Sequence, residues 1–140
     1  MANDDADMKG VVMNGRKILI VDDEDSIRLL FSRVIAKTVE GVTTEAVADG
    51  KKAVESFSNG RHDVIMMDLH MPIMDGLTAY SEIVKVCEDN EWDMPTVIFC
   101  TGYVPPDTVR DIVKDSKHIL INKPASVENL VKSVREGLCN

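Results

Sequence analysis

Aromatic side chains are scarce in this sequence: tryptophan, tyrosine and phenylalanine together make up 4% of its 140 residues. Apolar residues nevertheless make up 44%, so the core must consist mainly of aliphatic and methionine side chains. A chain of this length fits one domain and buries roughly 68–70% of its unfolded surface. The shortage of aromatics therefore excludes an aromatic core but not a well-packed single domain.

Basic residues are also in deficit, with 16 lysines and arginines against 24 acids and a formal net charge of −8. This balance argues against a broad contact with nucleic-acid phosphates and favours protein or cation partners. No apolar stretch approaches the roughly 18 residues of a membrane span. The acidic N-terminus, MANDDADMKG, lacks the basic and apolar regions of a signal peptide. We expect residues 1–14 to be a flexible acidic tail, residues 15–140 to form the domain, and no membrane contact.

The cysteines are few and lack the spacing of a metal site: Cys87, Cys100 and Cys139 are the only three. Cys100 ends an apolar run, which predicts a small buried hydrophobe. This usage fits a reducing compartment, so we expect a cytoplasmic protein.

Short apolar runs alternate along the chain with longer helical patterns. We predict strands at residues 17–21, 42–47, 63–67, 96–100 and 118–122. Four of them are nearly continuous apolar runs, as in strands covered on both faces. The segment 42–47 is more polar and is expected at a sheet edge.

The segments between these strands have helical periodicity. The first predicted helix places on one face Ile27, Leu30, Phe31, Val34 and Ile35, and the last repeats the pattern with Val127, Leu130, Val131, Val134 and Leu138. Further helices are predicted at about 50–58, at about 76–88 and after Pro105-Pro106. Five such units with short connections indicate an α/β fold, a doubly wound five-stranded parallel sheet with five helices.

Polar residues follow four of the predicted strands at their carboxyl ends, where open parallel sheets gather their chemistry. Asp22 and Asp23 follow the first strand, Asp68 the third, Thr101 the fourth and Lys123 the fifth. These ends share one edge of the sheet, so the five side chains are expected to converge.

The converging groups suit phosphoryl chemistry. Three carboxylates repel one another unless a cation neutralises them, and Mg²⁺ prefers oxygen ligands of this kind. Lys123 offers a mobile positive charge for a phosphoryl oxygen, and Thr101 can donate a hydrogen bond to another. Nucleophilic attack, which yields an aspartyl-phosphate, is the role that remains for Asp68.

Ordinary structural roles explain each of these residues singly. Asp25 or Ser26 can cap the first helix, whose dipole favours neighbouring acids, and Asp75 reads as the N-cap of the third helix. Thr101 and Lys123 can be common turn residues. Only the joint placement on four strand ends is left without a structural explanation.

Four motifs resemble those of the receiver domains of two-component response regulators, the family that includes the chemotaxis response regulator. They are LIVDDE (19–24), DVIMMDLHMPIMDG (63–76), TG (101–102) and KP (123–124). The resemblance covers residues 16–139 and implies a flavodoxin-like receiver fold. It implies a phosphorelay module that takes phosphate from a histidine kinase or phosphotransfer protein and then switches a surface that binds a downstream protein.

The resemblance also assigns roles to single residues. It makes Asp68 the phosphoacceptor and places Asp22 and Asp23 with it in the Mg²⁺ site. Thr101 and Lys123 contact the phosphoryl group. The residue two positions after the acceptor, His70, then gives the metal its backbone carbonyl oxygen.

Three positions depart from the family pattern or vary within it. Receivers usually carry phenylalanine or tyrosine three residues before the lysine, and here that position is Leu120. His70 and Tyr103 flank the phosphorylation site, so we interpret them as possible modulators of the phosphoryl lifetime. The aromatic switch of the family is therefore not expected in this chain.

Two other classes of protein compete with the signalling interpretation. An aspartate-nucleophile phosphohydrolase carries a second aspartate two residues after its nucleophile, whereas this chain has His70 there. A nucleotide- or flavin-binding module needs a phosphate loop after the first strand, where the sequence DDED repels anions. We therefore expect a phosphoacceptor that signals, rather than an enzyme with turnover on a separate substrate.

Overall fold

The computed structural model describes residues 15–102, 106–114, 117–123 and 126–139. The strands are β1 (Arg16–Val21), β2 (Val42–Val47), β3 (Val64–Asp68), β4 (Thr96–Thr101) and β5 (Ile119–Asn122). The helices are α1 (Asp25–Thr38), α2 (Gly50–Gly60), α3 (Gly76–Asn90), α4 (Pro106–Val113) and α5 (Val127–Cys139). Strand and helix alternate as the sequence pattern predicts.

All five strands pair in parallel, in the order β2-β1-β3-β4-β5. The polar strand β2 lies at an edge, as predicted. The chain leaves β1 toward one side and returns in β3 on the other, so the topological switch point lies between these two strands. Val21 pairs with Met67 there, and the residues that follow them, Asp22 and Asp68, are therefore neighbours.

Each face of the sheet has its own apolar core, because successive side chains of a strand point to opposite faces. Ile18 and Ile20 of β1 pack with Phe31 and Ile35 of α1 and with the buried face of α5. Leu19 and Val21 point the other way, into the cluster that α2 and α3 complete. The fold class predicted from the sequence is confirmed.

Two residues predicted to lie on buried helix faces are instead half exposed. Leu30 is 50% exposed and Val127 is 54% exposed. In α1, the fully buried stripe consists of Phe31 and Ile35 alone, because a helix lying on a flat sheet buries a narrower stripe than its apolar pattern covers. Val127 is the first residue of α5, where the helix has only begun to cover the sheet.

The caps of α1 and α3 differ. The Asp75 carboxylate accepts a hydrogen bond from the backbone N–H of Thr78 at 2.8 Å, so the predicted N-cap of α3 is confirmed. For α1 the prediction was wrong: Glu24 precedes the helix without a side-chain cap, and the Asp25 carboxylate pairs with Arg28 instead.

Gly76, the first residue of α3, lies against the end of β3. A Cβ atom at this position would lie 2.3 Å from the carbonyl oxygen of Asp68 and 2.9 Å from the Cα of Leu69. The Gly76 N–H donates to the Leu69 carbonyl at 3.0 Å. The start of α3 thus fixes the backbone that carries Asp68.

We predict that Gly76→Ala lowers the free energy of unfolding by about 2 kcal/mol, because the clash is with backbone that no rotamer change relieves. Alanine has a higher helix propensity than glycine and would otherwise raise the free energy of unfolding, so the sign of the change is itself informative. Urea unfolding measures the change. Gly102→Ala is the matched control, since no atom of the described residues, apart from its chain neighbours, lies within 4 Å of a Cβ there, and it should change stability by less than about 0.5 kcal/mol. Equal stability of the two variants would contradict the prediction.

Candidate functional site

Three carboxylates converge at the carboxyl ends of β1 and β3, as predicted. Oxygen atoms of Asp22, Asp23 and Asp68 all lie within 4.8 Å of one another. Asp22 is 2% exposed and Asp68 6% exposed, whereas Asp23 faces solvent. Carboxylates this close are expected to attract a cation, because burial removes the water that would otherwise screen them.

Lys123 lies between the two buried carboxylates. Its ammonium donates to Oδ2 of Asp22 at 3.1 Å and to Oδ2 of Asp68 at 3.2 Å. The Lys123 N–H donates to the carbonyl of Thr101 at 2.8 Å, which ties the end of β5 to the end of β4. One ammonium among three carboxylates leaves the cluster negative, so the donor set still fits a divalent cation.

The ion pairs also set the pKa of Lys123. Burial lowers this pKa, but the hydrogen bond and charge of Asp22, together with Asp68, outweigh burial and raise it above its ordinary value. Because the folded-state pKa is raised, the contribution of the charged lysine to stability is fully present below its unfolded-state pKa of about 10.4 and is lost as the pH rises through the folded-state pKa. Lys123 is therefore a permanent cation at neutral pH.

Both buried carboxylates have their second oxygen fixed by a backbone N–H two residues further on. Oδ1 of Asp68 accepts from the N–H of His70 at 3.0 Å, and Oδ1 of Asp22 accepts from the N–H of Glu24 at 2.9 Å. Arg28, which the sequence analysis did not single out, donates to the backbone carbonyl of Asp22 at 2.7 Å. The two backbone N–H bonds offset the cost of burying the carboxylates and orient each of them.

The remaining predicted residues surround this cluster unequally. Thr101 is fully buried at the end of β4, and the side chain of His70 is exposed. Leu120 is half buried, pairs with Phe99 across the strands, and packs against the core on the α2–α3 face. Tyr103 lies outside the described residues. Their roles as phosphoryl contact or modulator stay predictions.

Cys100, next to the buried end of β4, is a buried apolar residue as predicted. It is 3% exposed, and burial is the main reason that the pKa of its thiol rises to about 12. A thiol with this pKa is neutral at physiological pH and adds no charge to the cluster.

The loop between β3 and α3 contains strain that the sequence analysis missed. Ile73 has a φ of 70° although it is β-branched, and the N–H of Met74 donates to the carbonyl of Pro72 at 2.7 Å. A hydrogen bond between residues i and i+2 closes a γ-turn. A positive φ at the central residue defines the rare, strained form of this turn. The Ile73 side chain is 79% exposed, so packing within the described chain does not offset the strain.

The fold and the carboxylate–lysine cluster are those of a signalling receiver. The chain belongs to the response regulator receiver domain family, whose model matches residues 18–135. It is 32% identical to regulatory protein AtoC of Escherichia coli, over 87% of this chain and 25% of AtoC. It is 30% identical to sporulation initiation phosphotransferase F of Bacillus subtilis, over 90% of this chain and 96% of that protein.

Comparison with solved structures supports the same family. Chemotaxis protein CheY4 of Vibrio cholerae superimposes with a TM-score of 0.72 at 26% identity, over 87% of this chain and 98% of that structure. Family membership supports a phosphoacceptor role in two-component signalling and does not favour the phosphohydrolase alternative. In the described part of the chain, no helix has the length and apolar character needed to cross a membrane.

We predict that Ile73→Asn raises the free energy of unfolding by about 1 kcal/mol, because asparagine adopts a positive φ more readily than a β-branched residue does, and a strained backbone of this kind costs about 1–3 kcal/mol. Ile73→Val is the matched control: it keeps the branched Cβ, hence the strain, and should leave stability unchanged. Urea unfolding of both variants measures the difference. A destabilised Ile73→Asn protein would show that isoleucine is accommodated here without strain.

We predict that Lys123→Ala, in EDTA, lowers the free energy of unfolding by about 2 kcal/mol. Two nearly buried carboxylates then lose their shared cation, and the loss stays below the about 3–5 kcal/mol of a fully buried pair because the lysine side chain is 24% exposed. Lys132→Ala, on the exposed face of α5, controls for loss of a lysine.

In an Asp22→Asn background, where only one carboxylate still needs the lysine, the same substitution should cost less. Thermal or urea unfolding of the four proteins of this cycle gives the coupling. Identical losses in both backgrounds would show that Lys123 and Asp22 do not interact in solution.

Proposed function

We propose that this chain works as a phosphoacceptor in a two-component phosphorelay, with Asp68 as the residue that is phosphorylated. The observation that carries the proposal is the Asp68 carboxylate itself. It is almost buried at the end of β3, one of its oxygens accepts a backbone hydrogen bond, and the other lies 3.2 Å from the Lys123 ammonium. A carboxylate oriented in this way is prepared for attack on a phosphorus atom.

In the proposed reaction, an Asp68 oxygen attacks the phosphorus of a phosphohistidine on a histidine kinase or phosphotransfer protein. The new P–O bond forms as the P–N bond breaks, and the electron pair of that bond returns to the imidazole. The Lys123 ammonium is then free to exchange an Asp68 oxygen for a phosphoryl oxygen, a partner suited to its compact charge. The products are an acyl phosphate on Asp68 and an unmodified donor histidine.

The cofactor that we propose is Mg²⁺. The carboxylates of Asp22, Asp23 and Asp68 would hold it, with the backbone carbonyl of His70 as a further oxygen ligand. When bound, the ion neutralises negative charge between the carboxylates and the incoming phosphoryl oxygens. The acidic cluster with its single ammonium is what supports this choice.

We propose that phosphorylation changes the binding surface through Thr101. Its hydroxyl would bind a phosphoryl oxygen and draw the end of β4 toward Asp68. Leu120 lacks a ring to swing inward, and Tyr103 and His70 are proposed to modulate access of water to the phosphoryl group. The changed surface would then bind a downstream protein rather than nucleic acid or membrane. We place this module in residues 15–140 and in the cytoplasm, and propose no turnover on a separate substrate.

The test uses acetyl phosphate, a donor that needs no partner protein. We expect mass spectrometry of the wild-type protein, incubated with acetyl phosphate and Mg²⁺, to show the addition of one phosphoryl group, which EDTA suppresses. Asp68→Asn should gain none. Asp75→Asn is the matched control, since it makes the same change in the same loop and asparagine caps a helix as well as aspartate does. Phosphorylation of Asp68→Asn to the wild-type level would overturn the assignment of the acceptor.

A further inference from the structure

A polar cavity lies at the opposite end of the sheet from Asp68. It has a volume of about 290 Å³ and lies at the amino ends of β1, β3 and β4. Its lining includes Arg16, Arg61, His62, Asp63 and Lys117. None of these residues has a part in the proposed phosphoryl transfer.

Arg61 is an exposed residue that lines this cavity. The residue ends α2 in a left-handed conformation, and its own N–H donates to the carbonyl of Phe57 at 2.8 Å. The guanidinium carbon lies 4.0 Å from the centre of the Trp92 ring. Within the described part of the chain, no oxygen accepts a hydrogen bond from this guanidinium. A guanidinium that lies over an aromatic ring can still donate its N–H groups to a carboxylate or phosphate.

The neighbouring His62 also lacks one partner. Its ring is buried, with the residue 5% exposed, and Nε2 lies 2.8 Å from Oε1 of Glu45. Nδ1 is buried too, and no described residue hydrogen-bonds to it. A buried polar atom without a partner is costly and uncommon. The ring fits there because residue 60 is glycine: a Cβ at Gly60 would lie 2.8 Å from Cε1 of the ring.

The local charge is positive, in contrast to the whole chain. One oxygen of the Asp63 carboxylate, Oδ2, is already used, since it pairs with Arg16 at 3.3 Å and accepts the Lys17 N–H at 2.8 Å. The Lys17 ammonium lies against the carbonyl of Gly60 at 2.9 Å, and the Lys117 ammonium against that of Met94. The cavity lining thus holds three cations, Arg16, Arg61 and Lys117, and two carboxylates, Asp63 and Asp93, while the chain carries −8.

We propose that this cavity binds a small anion that carries a phosphate or carboxylate group, with the edge of the Arg61 guanidinium as its main contact. A charge-assisted bond to a guanidinium edge is the strong kind that a small oxyanion forms. Ligand pockets usually start at about 300 Å³, so the volume suits a molecule of few atoms. The site is independent of the proposed phosphorylation of Asp68.

The experiment exploits Trp92, which is the only tryptophan of the chain and stacks on Arg61. Inorganic phosphate and, in a second arm, citrate are titrated against the full chain, from which divalent cations have been removed with a chelating resin, with chloride at matched ionic strength as the blank. Trp92 fluorescence and calorimetry both report binding. Without divalent cations, the Asp22–Asp68 cluster remains negative and repels the probe.

We expect a saturable response that Arg61→Gln weakens at least about tenfold, as loss of a charge-assisted contact predicts. Arg33→Gln, which removes the same charge from the exposed side of α1, should bind like wild type. Arg61→Lys should also weaken binding, because an ammonium lacks the planar fork. Saturation by only one of the two probes would identify the anion class.

Two results would overturn the proposal. One is the absence of any saturable response to either anion in the wild-type protein. The other is that Arg61→Gln and Arg33→Gln weaken anion binding equally, which would mean that binding depends on the net charge of the protein alone. Circular dichroism of each variant confirms that it is folded, and calorimetry remains interpretable if Arg61→Gln changes the Trp92 emission by itself.

Discussion

The arrangement of the residues at the carboxyl ends of the strands depends on the two ion pairs of Lys123. They join residues that are 101 and 55 positions apart, and so connect the ends of β1, β3 and β5. Two carboxylates that are almost excluded from water repel each other without a shared cation. The lysine is therefore part of what holds these strand ends together, besides its proposed part in phosphoryl binding. Any ion or phosphoryl group that enters must rearrange these same bonds.

The sheet order explains why this edge is where the chemistry gathers. At the switch point the chain diverges on either side of β1 and β3, so no connection covers their ends. Gly76 lets the start of α3 contact the backbone at the end of β3, next to Asp68. The strained turn at Ile73 lies in the same loop. The segment that follows Asp68 thus contains both a close backbone contact, at Gly76, and a strained turn, at Ile73.

The sequence predicts the fold and the convergence of the acidic cluster well, because apolar runs and strand-end polar residues are local signals. It does not predict that Leu30 and Val127 are half exposed, since the width of a buried stripe depends on the surface that covers the helix. The φ of Ile73 is imposed by the loop against the propensity of isoleucine. The stacking of Arg61 on Trp92 depends on tertiary packing between distant segments, which no local pattern encodes.

The two ends of the sheet carry opposite charge patterns on shared strands. Asp22 follows β1 at the carboxyl edge, and Arg16 begins the same strand at the basic cavity. Six residues of strand place these ends about 20 Å apart, a distance at which two unit charges interact by less than about 1 kcal/mol at an effective dielectric constant of about 20. Direct electrostatic interaction between an anion in the cavity and the Asp68 site is therefore weak. If the two sites communicate, the coupling must pass through the packing of β1 and β3, whose interior residues are fully buried.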